Sequence, residues 1–242
     1  MDVKKAPSPF ITNPQSPTKP LWDIYTRIFH WLLVLGIAFQ YYSAELSDSQ
    51  IDHHATVGYA LLGLIWFRIL WGFVGPYSAR FSVFVPRLRS LFNYILARPK
   101  PIYASHNPLG SLAVLAFLIS VLVQAISGLF MTDDIFFNGP YQSWFNTTLT
   151  EVIQSLHNYA FTALQILIVV HIIAVLVHRF TSEPFIIKAM LDGNKPHHAY
   201  PAMSPFTLHL RAWLCMLVIM LKMWVLLVYL PEYLGLNADE YW

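Results

Sequence analysis

Five runs in this chain of 242 residues are long and almost free of charge, and that limits the fold more than any other feature. They cover roughly 24–42, 54–74, 109–131, 153–178 and 208–230. Crossing a bilayer core of about 30 Å takes about 20 residues at about 1.5 Å each, so every run is long enough to span. Lipid offers no partner to an unpaired backbone N–H or C=O, so a spanning segment must be a helix or belong to a closed barrel. A barrel needs many short alternating strands, and these runs do not alternate. The expected fold is an all-α membrane protein: a four-helix transmembrane bundle plus a fifth C-terminal transmembrane helix. Only 12% of the residues are charged, against about 25% in an ordinary soluble domain, which fits lipid rather than water as the solvent.

The segments between the runs carry the orientation. Lys4, Lys5, Lys19 and Arg27 lie before or at the start of the first run. Arg68, Arg80, Arg87, Arg89, Arg98 and Lys100 surround the connection between the second and third, and Arg179, Lys188, Lys195 and Arg211 that between the fourth and fifth. Loops 43–53 and 132–152 and the tail after 230 hold no Lys or Arg, but they hold acids such as Asp48, Asp52, Asp133, Asp134 and Glu232. Every basic residue except Lys222 thus sorts to one side, which places the N-terminus in the cytoplasm and the C-terminus in the periplasm of a bacterial inner membrane. Residues 1–23 are polar and Pro-rich, without the apolar core of a signal peptide, and read as a cytoplasmic tail. The Pro-rich stretches 99–108 and 196–205 read as loops, and the basic, amphipathic region 79–98 as one surface helix.

Four of the ten histidines stand where a ligand would: His30 in the first run, His54 at the start of the second, and His157 and His171 in the fourth. An ionisable residue within a membrane is costly and is a functional candidate by default. His157 and His171 are 14 residues apart, about 1400° of helical rotation, which brings them within about 40° of one face and about 21 Å apart in depth. One helix therefore presents a ligand near each membrane surface toward one bundle interior. The direction of each helix then selects the partners: His54 and His157 lie toward the outside, His30 and His171 toward the cytoplasm. Two stacked haems require this arrangement. Imidazole is a common iron ligand, and two per iron close both axial positions, favouring electron transfer over oxygen binding. A histidine in a membrane helix also serves as a plain polar contact; His53 is the alternative to His54, and His178 to His171. His106, His197, His198 and His209 fall in loops or near ends, where solvated or interfacial roles are expected. With Cys215 as the sole cysteine and no C-x-x-C-H, covalent haem and cysteine metal sites are excluded.

The chain resembles the cytochrome b subunit of membrane-bound nickel–iron hydrogenases, a cytochrome b561-like family, and more distantly that of formate dehydrogenase. The segments that carry the likeness are W-D-I-Y-T-R-I-F-H-W (22–31), H-A-T-V-G-Y (54–59), R-I-L-W-G-F (68–73), H-N-P-L-G (106–110), S-G-L-F-M-T-D-D (127–134), L-H…H (156–171) and A-M-L-D-G-N-K (189–195). The resemblance implies four core helices and two non-covalent bis-histidine b haems, with His30, His54, His157 and His171 as ligands. It also implies a quinone site, for menaquinone or ubiquinone, beside the cytoplasmic-side haem. Asn107, next to His106, is the polar residue best placed for it; the plain reading is that Asn107-Pro108 caps a helix. The chain after 205 lies outside the resemblance. The expected organisation is a tail (1–23), a di-haem transmembrane domain (24–195) and an extension (196–242).

Other residues suit supporting roles. Arg27 and Arg68 can pair with haem propionates, since arginine binds carboxylates bidentately, whereas Arg80 reads as a membrane-side anchor. Gly36, Gly58, Gly63, Gly110 and Gly128 allow close approach of haem or helix, and Trp31, Trp71 and Trp144 read as interfacial belt residues. Three functions fit. One is an electron-transfer subunit between the quinone pool and a periplasmic redox partner, hydrogenase-like or a cytochrome c. Another is a stand-alone cytochrome that oxidises a small diffusible reductant. The third is a haem-free anchor or transporter. Membrane lipid is a partner in each, and nothing in the sequence suggests nucleic acid.

Overall fold

The computed structural model describes residues 21–45, 50–96, 106–132, 137–181, 184–194 and 203–236. Most of the N-terminal tail, Asp48, Arg98, Lys100, Asp133, Asp134, Lys195, His197 and His198 lie outside the described residues. The described chain is helical: α1 (Ile24–Glu45), α2 (Ile51–Val74), α3 (Phe81–Phe84), α4 (Leu88–Leu96), α5 (Pro108–Gly128), α6 (Thr147–Thr181), α7 (Ile186–Asp192), α8 (Pro205–Trp224) and α9 (Leu230–Tyr233). Among the described residues, α2, α5, α6 and the composite helix Pro205–Tyr233 are long and apolar enough to cross a membrane. The first expected span, α1, is a helix of 22 residues but is not in that set. Arg27, His30, Gln40, Ser43 and Glu45 dilute its apolar character.

Helix α2 is the hub, packed against α1, α5 and α8, while α6 lies along α5. Phe29 and Leu33 of α1, Leu61 and Ile65 of α2, Leu118 and Val121 of α5 and Leu164 of α6 form one buried cluster. A Cβ on Gly36 would stand 2.6 Å from Leu61 Cδ2, so only glycine lets α1 and α2 close this far. By contrast α1 and α6 touch sparsely, their visible link being the stacked rings of Tyr41 and Phe161, 6.2 Å between centroids. The outward surface of α6 is a field of exposed Ile166, Val169, Val170, Ile172 and Ile173, as a lipid-facing helix requires.

The end that the charge pattern predicts to face the cytoplasm, called inner below and its opposite outer, is tied by polar contacts. Helix α7 ends in left-handed Gly193 (φ 85°), a conformation that glycine adopts without a Cβ clash. Its last carbonyls are taken by α1: Trp31 Nε1 donates to Met190 O at 3.1 Å, Arg27 to Leu191 O, and Leu21 N to Gly193 O at 2.6 Å. The motifs W-D-I-Y-T-R and A-M-L-D-G-N are therefore one structural unit. Asp23 starts α1, accepting from Thr26 N at 3.1 Å and Thr26 Oγ1 at 2.6 Å, as a helix N-cap does.

Two expectations need correction. Region 79–98 is not one surface helix: Pro86 separates α3 from α4, because proline has no N–H to donate and forces Val85 into extended backbone (φ −63°, ψ 118°). Trp71 is no belt residue; it is wholly buried and donates to Asp23. His209 is exposed near the start of α8, as expected, and its Nδ1 lies 2.8 Å from the hydroxyl of Tyr25, which ties α8 to α1. Lys222, the exception to the charge sorting, rests its ammonium 3.8 Å from the Trp66 ring centroid of α2, a cation–π contact that shelters it within an apolar helix. Beyond it α8 passes through a π-helical turn, Val225–Tyr229, into α9; the turn leaves Leu226 O to accept from the Tyr141 hydroxyl.

Candidate functional site

Two histidine pairs stand at two depths in the bundle. His30 (α1) is within electrostatic reach of His171 (α6), and His54 (α2) of His157 (α6). Leu164, seven residues from each α6 histidine, belongs to the apolar cluster that separates the two levels. The sparse contact between α1 and α6 leaves His30 and His171 on two helices that are not closely packed together. His53, the alternative to His54, is exposed.

At the outer level each imidazole meets a serine hydroxyl. His54 Nδ1 is 2.9 Å from Ser43 Oγ of α1, and His157 Nδ1 is 2.9 Å from Ser127 Oγ of α5. Gln124 Nε2 is 2.8 Å from His157 Nε2, so the amide donates to the ring's other nitrogen. A Cβ on Gly128 would stand 3.5 Å from His157 Cε1, a contact that keeps α5 tight against this ring. Neither serine nor Gln124 stood out in the sequence. The signal was weak, being polar residues in otherwise apolar helices near a turn that leads to a histidine.

At the inner level His30 Nδ1 is buried without a hydrogen-bond partner, and His171 sets its ring edge-on to Phe117 at 5.4 Å. Below them, Arg68 is almost wholly buried (3% exposed), its guanidinium 5.3 Å from the Phe81 ring and 5.5 Å from the Phe84 ring, with Nη1 lacking a partner. Arg27 Nε is likewise buried and unpartnered. Arg80 instead bonds Gly75 O at 2.9 Å. His106 packs between Trp22 (4.7 Å) and Phe84 (5.3 Å). Asn107 caps α5, its Oδ1 accepting from Gly110 N at 2.8 Å with Pro108 in the first turn. Gly110 thus serves the cap, while Gly58 faces Gln40 and Gly63 faces Met223 of α8.

A planar iron cofactor held by opposed imidazoles suits this donor set. The unpartnered guanidinium nitrogens of Arg27 and Arg68 are buried polar atoms that such a group would satisfy. An apolar groove of about 250 Å³ between α5 and α6, lined by residues including Leu122, Ile126 and Ile153, contains none of the four histidines.

Neither a curated protein nor a solved structure matches the chain. A family model described as prokaryotic cytochrome b561 matches residues 21–193, more than two thirds of the chain. That span covers the helices bearing all four histidines and both segments of the α1–α7 tie, and the family's cofactor is haem b. The chain is a multi-pass, helical membrane protein of the prokaryotic cytochrome b561 family, an electron-transfer family.

Proposed function

We propose that this protein is an integral-membrane di-haem b-type cytochrome that carries electrons between the quinone pool and a redox protein on the periplasmic side, the role of a hydrogenase cytochrome b subunit. What supports this reading is the placement of four histidines on α1, α2 and α6, with His157 and His171 fourteen residues apart on one helix and each within electrostatic reach of a histidine on a neighbouring helix. His54 and His157 hold the outer haem, and His30 and His171 the inner one. Bound haem supplies reversible one-electron chemistry, and two imidazoles per iron leave no open position for another ligand. The apolar layer around Leu164 excludes water between the two levels.

The remaining residues orient the cofactors and the quinone. Arg27 and Arg68, with buried unpartnered nitrogens at the inner end, pair with propionates of the inner haem. Asn107 and His106 border a quinone site beside that haem, with the Trp22 and Phe84 rings as an apolar wall. Helices α1, α2, α5, α6 and Pro205–Tyr233 form five spans, with the N-terminus cytoplasmic. Residues 24–195 form the cytochrome unit and 196–242 an extension whose helix packs on α2 through Ala212, Cys215 and Ile219.

Reduced-minus-oxidised spectra and haem quantification of the purified protein test the reading. Two b haems per chain are expected, with one reoxidised by added quinone. A haem-free protein would leave only an anchor or transporter. Two haems reduced by a small diffusible donor, with no co-purifying protein in mild detergent, would favour the stand-alone cytochrome.

A further inference from the structure

We infer that Ser43 and Ser127 are paired positioning residues for the outer haem ligands, each fixing one imidazole so that Nε2 faces the iron; the inference rests on the di-haem reading above. The two sites are built alike. Each serine lies in the last turn of a helix running outward, and each histidine in the helix that returns, His54 in the first turn of α2 and His157 three turns into α6. Both serines are buried, at 6% and 3% exposed.

A hydroxyl has one proton and two lone pairs. Ser43 Oγ lies 2.9 Å from Phe39 O and 3.2 Å from Gln40 O, and Ser127 Oγ lies 2.7 Å from Val123 O and 3.1 Å from Gln124 O. The single proton of each serine therefore goes to its own helix, and the oxygen is left to accept. The atom 2.9 Å away on the other side is the histidine Nδ1, which must be the N–H of the ring. That assigns the lone pair to Nε2 in both rings, the nitrogen that would bind iron; in His157 it accepts from the Gln124 amide at 2.8 Å, a contact that iron would replace. Serine in a membrane helix commonly bonds back to its own i−4 carbonyl, but that habit does not place a histidine nitrogen on both hydroxyls.

An acceptor on the far ring nitrogen locks ring orientation and raises ligand basicity, which favours ferric over ferrous iron. The inner level has no such device: His30 Nδ1 is buried without a partner. The serines thus lower the potential of the outer haem alone.

The test uses the full chain in detergent, with Ser43→Ala, Ser127→Ala, the double variant and Ser127→Thr. His54→Ala identifies the outer haem by the spectrum it removes. The readouts are haem per folded protein, low-temperature EPR of the oxidised protein, and a potentiometric titration resolved by haem. Each alanine variant is expected to raise the outer haem's midpoint and move its EPR signal, more so in the double variant, while the inner haem keeps both. Outer-site haem affinity should fall by on the order of ten-fold, as for the loss of other groups that orient a metal-bound histidine. Threonine, which retains the hydroxyl, restores the wild-type values. If an alanine variant does not accumulate, Ser→Cys at the same position, a weaker acceptor of similar size, should give a rise of the same sign. An unmoved outer haem, or equal shifts in both haems, overturns the assignment. If His54→Ala removes no haem, the di-haem reading itself fails, whatever the serine variants do.

Discussion

Trp71 Nε1 donates to the carboxylate of Asp23 across the inner end of the bundle, 3.2 Å from Oδ1. The same carboxylate caps α1 and accepts from Tyr25 N at 3.0 Å, so one side chain joins the start of α1 to the last turn of the hub helix. Asp23→Ala should lower stability by about 2 kcal/mol or more, since a lost N-cap alone costs ~1 kcal/mol and a buried indole N–H is left unpaired. Asp23→Asn keeps an acceptor for both and should lose less. Thermal unfolding in a single detergent compares them; equal losses would mean that charge toward Arg68, not hydrogen bonding, is what matters.

The histidine pairing sorts four variants into two classes. His54→Ala and His157→Ala should each abolish the outer haem, and His30→Ala and His171→Ala the inner one, measured as haem per folded protein. Normalisation is needed because a ligand bound only to the native state stabilises it, and its loss lowers accumulation. Spectra that grouped His30 with His157 would break the depth argument.

Asn107 is a helix cap in the structure and a quinone contact only in the proposal, and two substitutions part these roles. Asn107→Leu should impair quinone-linked turnover, leave both haem spectra intact and cost about 1 kcal/mol from the lost cap. Asn107→Ser retains a good cap, so its stability should stay near wild type. If turnover falls in the serine variant too, the amide itself meets quinone; if turnover recovers, the cap was the whole role.

Helix approach is testable at Gly36. Gly36→Ala puts a methyl 2.6 Å from the Leu61 side chain, so α1 must tilt away or Leu61 must leave its rotamer, at about 1–3 kcal/mol. Gly63→Ala, where the nearest atom would be 3.6 Å from the new Cβ, should be nearly neutral. The pair is read by thermal unfolding and by haem retention, which should fall only for Gly36→Ala.

Much of the fold was legible because lipid removes choices: an apolar run must be helical, and charge bias then supplies an expected direction for each helix. Histidine depth followed from counting residues along those helices. What escaped depended on how helices rotate against one another. The sequence position of Trp71 suits an interface belt, but the Asp23 carboxylate, 48 residues away, draws its indole inward. Ser127 meets His157 across a 30-residue separation, and no spacing rule foretells which hydroxyl a returning helix will present. Pro86 was the reverse case, since its effect on the 79–98 helix is local and could have been read. The polar residues of α1 had a similar warning in them: a helix carrying Arg27, His30 and Gln40 is less a lipid-seeking rod than one wall of a site.

The sparse contact between α1 and α6 bears on biogenesis. Haem is flat, amphiphilic and soluble in membranes, and a bundle sealed on every side would have to unfold to take it up. Here α1 is anchored to α2 and α7, and α6 to α5 and α7, with few direct contacts between α1 and α6 themselves. On the proposed di-haem reading, cofactor would enter sideways from the bilayer through that gap after the helices have inserted, and the last step of maturation would be the closing of a seam by the molecule that fills it.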